Sequence, residues 1–372
     1  MTNQPSQALS RLEVPHSGYH WRGASWFSAR RFFEGWYFRL TLPESGQTFA
    51  FMYSIDDPAG GTAHHGGAAQ ILGPNETYYC RTFPDVTQFW AWPHRLGLGH
   101  WRTSQVGRAR YLSPAAFARK AFDDETLEGY QLTSEHHQGR LLNPAGQSSN
   151  VEAQWQYTVQ PISGWGPAGV RSRATAGWLS YLPVFDPGWQ VLMAHGLASG
   201  WMEWQGDRTH FQNAPVYAEK NWGTAFPAKW FWLQCNAFTG EPDLSITAAG
   251  GVRDVLTRSE NVGLIGIHYR GQFYEFSSRE TAFTWQVDPW GYWQMTAGCD
   301  RYHVELTGIA HDEGAQVRVP TQSGLQFLCR DTTKGELRVQ LWEGDRVILD
   351  TTSQLAGLEI GGSPWEARWV SS

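Results

Sequence analysis

Apolar and polar residues alternate with a period of two through most of this chain, which predicts β-strands. Val151, Ala153, Trp155, Tyr157 and Val159 alternate with Glu152, Gln154, Gln156 and Thr158. From Arg30 to Leu42, one face carries Glu34, Trp36, Phe38 and Leu40, and the other carries Tyr37, Arg39 and Thr41. Gly46 marks a turn, and Thr48 to Ile55 returns as the second strand of a hairpin. Short strands broken by Gly73-Pro74-Asn75 and Phe83-Pro84 follow. Later strands are expected at Trp189 to His195, Trp201 to Trp204, His210 to Gln212, Val216 to Asn221 and Trp230 to Asn236. The series continues through Leu337 to Glu343 and Arg346 to Thr351, and ends at Trp365 to Val370. One helix is expected at Ser113 to Phe122, with Ser113 as N-cap, Pro114 at the first helical position and an Ala-rich body. Many short strands with one or two short helices predict an all-β sandwich or barrel.

A length of 372 residues suits two units or one large β architecture. The Gly- and Pro-rich run from Pro161 to Pro187 is the expected boundary. It divides a loose leader (1–15), an N-terminal β domain (16–187) and a C-terminal β domain (188–372). Glu34-Gly-Trp36 and Glu219-Lys-Asn-Trp222 each place a carboxyl before a Trp, a faint echo that suggests related halves.

Charged residues make up only 17%, and the net charge of -6 argues against a nucleic-acid partner, which needs clustered Lys and Arg. The chain holds 21 Trp, 14 Tyr and 19 Phe, more aromatic surface than core packing requires. Such faces attract cations and pack against flat rings. Cys80, Cys235, Cys299 and Cys329 are too scattered for a metal pair and read as reduced thiols. No phosphate loop, dinucleotide fingerprint, His-Glu-x-x-His or Gly-x-Ser-x-Gly occurs. The doublets His64-His65 and His136-His137 would face opposite ways on a strand, so no metal site is expected. Met1 to Ser10 is polar, without the apolar core of a signal peptide, and no apolar run reaches the ~18 residues of a membrane span. A cytoplasmic location is expected.

The candidate chemistry lies in Pro215 to Trp222. If extended, this stretch lines up Tyr217, Glu219 and Asn221 on one face. Apolar surroundings disfavour a carboxylate, so Glu219 among aromatics can stay protonated. A protonated carboxyl facing an apolar cavity can add a proton to a carbon–carbon double bond. The bland alternative is a solvated Glu219–Lys220 pair. Glu34 lies on an apolar face, where burial would raise its pKa, and its bland alternative is a partner for Arg30, Arg31 or Arg39. His195 ends Val191-Leu-Met-Ala-His and precedes Gly196, and a buried His bonded to backbone is the competing reading.

Four blocks carry a resemblance to a known family. They are Pro15-His-Ser-Gly-Tyr-His-Trp21, Arg31-Phe-Phe-Glu-Gly-Trp-Tyr-Phe38, Phe49-Ala-Phe-Met-Tyr-Ser-Ile55 with Asp57-Pro-Ala-Gly-Gly61, and Tyr217-Ala-Glu-Lys-Asn-Trp-Gly223. Together they resemble the tocopherol cyclase family, from about Val14 to the C-terminus. The last block is shared with lipocalin-like carotenoid hydratases. The resemblance implies two lipocalin-like antiparallel β-barrel halves. It implies closure of a lipophilic prenylated benzoquinol to the chromanol ring of γ- or δ-tocopherol, a redox-neutral reaction that calls for no cofactor. Without a transit peptide the chain resembles a cyanobacterial form, peripheral to thylakoid or inner membrane or to lipid bodies.

The hydratase pattern matches His195, Tyr217 and Glu219, although those relatives carry Asp where Glu219 stands, and a Trp soon after the His. On this reading Glu219 donates the proton, held by Tyr217 and Asn221. Trp222 and Trp36 face the carbocation, Tyr37 lies alongside, and Glu34 or His195 takes the phenolic proton. Two other classes stay open: a prenyl-lipid carrier without chemistry, and a sugar-binding groove with paired carboxyls.

Overall fold

The computed structural model describes residues 14–23, 31–103, 122, 126–142, 151–181, 186–255, 258–299 and 301–371. Among them the protein is built almost wholly from strands, as the alternation predicts. The expected helix lies outside the described residues apart from Phe122, and most of the expected leader does too.

The first sheet begins with β1 (Phe33–Leu42), β2 (Gln47–Asp56), β3 (Gly66–Leu72) and β4 (Tyr78–Phe83). It continues with β5 (Phe89–Ala91), β6 (Gly97–Thr103), β7 (Thr126–Thr133), β8 (His136–Leu142) and β9 (Val151–Ser163). It closes with β10 (Gly188–Trp204) and β11 (Asp207–Gly223). The second sheet begins with β12 (Lys229–Cys235), β13 (Ser245–Val255), β14 (Arg258–Tyr269) and β15 (Gln272–Ser277). Then come β16 (Ala282–Val287), β17 (Tyr292–Gly298), β18 (Tyr302–Ile309) and β19 (Ala315–Thr321). The long pair β20 (Gly324–Glu343) and β21 (Arg346–Gly362) and the short β22 (Trp369–Val370) complete it.

Both sheets have 11 strands and share one plan. In each, the first strand lies beside the last long strand: β1 pairs antiparallel with β11, and β12 with β21. Each sheet curls so that distant strands meet inside it. Phe51 on β2 lies 5.1 Å from Trp155 on β9, and Tyr53 lies 4.1 Å from Tyr130 on β7. In the second sheet Phe231 on β12 reaches Trp285 on β16 at 5.5 Å. These are two lipocalin-like half-barrels, each filled by its own apolar cluster.

The change of sheet falls between Gly223 and Lys229, not near residue 187. The reason is that β10 and β11 hydrogen-bond to β9 and β1. The Gly- and Pro-rich run after β9 is a loop within the first half. The strands expected at Trp189 to His195 and Trp201 to Trp204 are one strand, β10, carried through register shifts. Gly200 makes one of these possible: its φ is +159°, and a Cβ there would lie 2.2 Å from the Gln156 carbonyl oxygen.

The two faces of β1 have different destinations. Trp36, Phe38, Leu40 and Leu42 enter the core of the first half. Arg39, on the other face and fully buried, crosses to the second half, where it donates to Gln234 Oε1 and to the carbonyls of Thr333 and Leu355. The seam between the halves is therefore tied by buried polar contacts as well as by packing.

Candidate active site

The seam contains a cavity of about 1090 Å³, bordered by both sheets and by the loop that carries Arg171 to Tyr181. That exceeds the roughly 300–1,000 Å³ common for small-ligand pockets. Register explains who faces it. Glu219 stands opposite Tyr37 on one side and Val191 on the other, so these three side chains share the seam-facing side of the first sheet. Across the seam, Trp232, Glu359 and Asp331 form the matching row on β12, β21 and β20. Gly357 makes room for this, since a Cβ there would meet the Trp232 ring at 2.9 Å.

Glu219 is 8% exposed, and its Oε2 accepts three hydrogen bonds. They come from the Tyr217 hydroxyl at 2.6 Å, Trp189 Nε1 at 3.0 Å and Trp232 Nε1 at 3.1 Å. Indole N–H groups donate only. With three donors on Oε2, a proton on the carboxyl sits on Oε1. Burial pushes the Glu219 pKa up from its usual 4.5 to about 7. The three donors, which favour the carboxylate, hold it down, and the nearby Glu359 adds to the rise. No cation is among the causes. Tyr217 shares a face and a bond with Glu219, as expected, but Asn221, the other residue expected to hold the acid, is not among its three donors. Asn221 and Trp222 border the same cavity, and so does Tyr37, whose ring lies 5.3 Å from Trp232.

Four expected participants are placed differently. Trp222 stands opposite Glu34 in the register, on the face away from Glu219, and its ring stacks on His20 at 4.1 Å. Trp36 borders the cavity, but its ring belongs to the opposite face of β1, near Tyr19 and Phe89. Glu34 shares that opposite face and is wholly buried. Arg30 lies outside the described residues; neither Arg31 nor Arg39 pairs with Glu34, and its ion-pair partner is Lys220, itself fully buried. The Lys220 charge holds Glu34 below its usual range although burial opposes this. Lys220 also donates to Gly18 O at 2.9 Å, and His20 N donates to Glu34 Oε2 at 2.8 Å, so the pair pins residues 14–23 to the sheet. His195 does not border the cavity. It is buried nearer Asp243 and His268, burial lowers its pKa, and its Nδ1 has no partner.

The rings that do reach the acid, Trp189 and Trp232, were not singled out by sequence. Their only signal was position in alternating strands. Glu359 was missed outright. It borders the cavity, accepts from Trp230 Nε1, and burial raises its pKa. Among the described residues no group of three or more His, Cys, Asp or Glu is placed to hold a metal ion.

Fold and site together define a two-half lipocalin-like protein with an aromatic-walled chamber built around one acid held near neutrality. The chain belongs to the tocopherol cyclase-like family, whose model matches residues 30–362. It is 40% identical over 391 residues to a probable chloroplastic tocopherol cyclase of Oryza sativa subsp. japonica, covering 98% of this chain and 82% of that one. It is 41% identical over 394 residues to the chloroplastic tocopherol cyclase of Zea mays, covering 98% and 81%. Among solved structures, CghA aligns over 97% of both chains with a TM-score of 0.51 and 10% identity, a likeness of fold alone.

Proposed function

We propose that the protein closes a prenylated benzoquinol to a chromanol by acid catalysis, as a tocopherol cyclase, with Glu219 as the proton donor. The observation that carries the reading is the one-sided hydrogen bonding of Glu219: three donors fix Oε2, and a proton on Oε1 is left to face an apolar chamber.

The chemistry follows from that geometry. Oε1–H protonates the less substituted carbon of the trisubstituted double bond nearest the quinol ring. A tertiary carbocation results. Trp189, Trp232 and Tyr37 border the chamber, and aromatic rings so placed can stabilise positive charge. Their bulk excludes the water that would otherwise trap the cation. The neighbouring ring hydroxyl then closes on it. The carboxylate left on Glu219 is the form its three donors stabilise, so they lower the barrier to proton release.

The lipophilic substrate is proposed to enter from a lipid surface. Trp178 and Tyr181, on the cavity rim, are 72% and 62% exposed, and Arg171 and Arg173 border the same rim. Exposed aromatic rings beside cationic groups suit the boundary between headgroups and acyl chains.

The test is single-turnover conversion of a phytyl-benzoquinol, followed by chromatography. Wild type yields chromanol. Glu219→Gln binds the quinol but loses about 10²–10⁴-fold in rate, the range for positioned acid–base groups. Retention of quinol without conversion by the wild type would instead make the protein a carrier.

A further inference from the structure

Ring closure releases a proton from the ring hydroxyl, and Glu219 must regain one. Neither Glu34 nor His195 is placed to serve. The second sheet offers a different group. Glu359 occupies in the second half the place that Glu219 occupies in the first: the acid near the end of the last long strand, registered against the half's first strand. Both border the same cavity, from opposite walls. Glu359, half-buried, stands directly across from the buried Asp331 in the β20–β21 ladder, so two carboxyls share one face.

Two such groups side by side cannot both ionise at little cost, so the pair holds one proton. Its location follows from the donors. Trp230 Nε1 and the Cys329 thiol serve Glu359. Both oxygens of Asp331 are buried without a partner, the Thr332 amide lying close but outside hydrogen-bond geometry. The charge therefore belongs on Glu359 and the proton on Asp331. Other charged groups around the pair are Glu76 and Arg39, whose guanidinium is already engaged by Gln234 and two carbonyls. The Tyr37 hydroxyl is also buried without a partner. It stands opposite Glu219 in the β1–β11 register, and its ring lies 5.3 Å from Trp232, the residue registered against Glu359.

We propose that Glu359, positioned by Asp331, accepts the ring hydroxyl's proton during closure, and that Tyr37 returns it to Glu219. The step rests on the cyclase reading above. The Glu219 O–H bond breaks as a C–H bond forms. The hydroxyl oxygen bonds to the cation as its O–H bond breaks, and that proton passes to Glu359. Tyr37 then gives its hydroxyl proton to Glu219 while taking the one on Glu359. Asp331 keeps its proton throughout, and nothing is oxidised or reduced.

The test is phytyl-benzoquinol turnover in D₂O, with a saturated-chain quinol as the binding probe. Glu359→Gln keeps the Trp230 contact but cannot accept a proton. It is expected to bind the probe within about threefold of wild type and to lose about 100-fold or more in chromanol formation. Solvent deuterium still enters the prenyl chain of its recovered quinol, because protonation by Glu219 persists. Asp331→Asn, which alters position and not contact, is expected to lower kcat with KM unchanged and to retain isotope uptake; it carries the test if Glu359→Gln does not fold. Wild-type closure in either variant overturns the proposal. So does loss of isotope uptake together with closure in a variant that still binds, since that ties the pair to Glu219's own step. A wild-type enzyme that neither closes the ring nor takes up deuterium would refute the cyclase reading itself.

Discussion

Glu219→Gln should make the protein more stable as well as inactive, and the gain should depend on pH. Glu219 titrates near 7 in the folded chain, up from its usual 4.5, because burial penalises the carboxylate. Between those values the folded state binds more protons than the unfolded state, so stability falls as pH rises. The contribution is complete below about pH 4.5 and lost by the time pH has passed 7. A shift of that size corresponds to ~3 kcal/mol, or about 4 °C in Tm for a chain of this length. The substituted amide has nearly the same shape as the carboxyl, accepts the same three donors through its carbonyl and carries no titrating proton. Other acids whose pKa desolvation raises, Asp56, Asp331 and Glu359, slope the stability of both proteins alike, so the difference isolates Glu219 apart from its coupling to Glu359. Thermal unfolding of wild type and Glu219→Gln from pH 4.5 to 8.5 is the assay. The curves should meet near pH 4.5, separate between about pH 4.5 and 7 with the variant higher, and keep a constant gap above that. Parallel curves would mean that Glu219 titrates like a solvated carboxyl, and the proton-donor argument would fail with them.

Tyr217→Phe removes the donor that most favours the Glu219 carboxylate. The alkaline limb of the kcat profile should move to higher pH while its plateau falls; a limb shifted to lower pH would reverse the assigned cause. Lys220→Met alone leaves Glu34 buried without its cation and should cost ~3–5 kcal/mol in urea unfolding. Adding Glu34→Gln should restore much of that, and simple additivity of the two losses would contradict a coupled pair. Trp178→Ala with Tyr181→Ala should weaken flotation with phosphatidylglycerol vesicles at least severalfold while leaving conversion of detergent-dispersed quinol nearly unchanged. Undiminished flotation would remove the cavity rim as the lipid contact.

Much of the fold is legible in the alternation of residues, because strands half-covered by a core must alternate. The exceptions have physical causes. Alternation alone ends β21 at Thr351, whereas the strand runs to Gly362. Thr352-Ser-Gln-Leu-Ala-Gly357 has weak alternation because the seam covers its second face too, and Gly357 is kept bare by the Trp232 ring. Glu359 lies in the portion left out. The Gly and Pro run after β9 suggests a domain boundary, yet its residues from Arg171 to Tyr181 shape the mouth of the cavity. Tyr217 and Glu219 could be grouped because they are two apart on one strand. Trp189 and Trp232 could not, since they reach the acid only through the pairing of β10 with β11 and the approach of the second half.

The most economical device in the site is the succession Glu219-Lys220. On a strand these neighbours face opposite ways, and β11 uses both sides. Lys220 points into the first half, where it meets Glu34 and keeps that acid ionised. Glu219 points into the seam, where its partners are a phenol and two indoles. Had a cation stood on the seam side, Glu219 would be a carboxylate at neutral pH and could not protonate an alkene. Had Glu219 no donors at all, burial would hold its proton too tightly to release. Neutral donors lie between these extremes: they orient the carboxyl and stabilise its conjugate base without ionising it beforehand. Across the seam Trp230 likewise gives Glu359 a neutral donor, there for the charged member of the proposed pair. On the proposed mechanism, a chain rich in indole thus builds acid–base chemistry inside an apolar chamber without placing a competing positive charge beside the proposed carbocation.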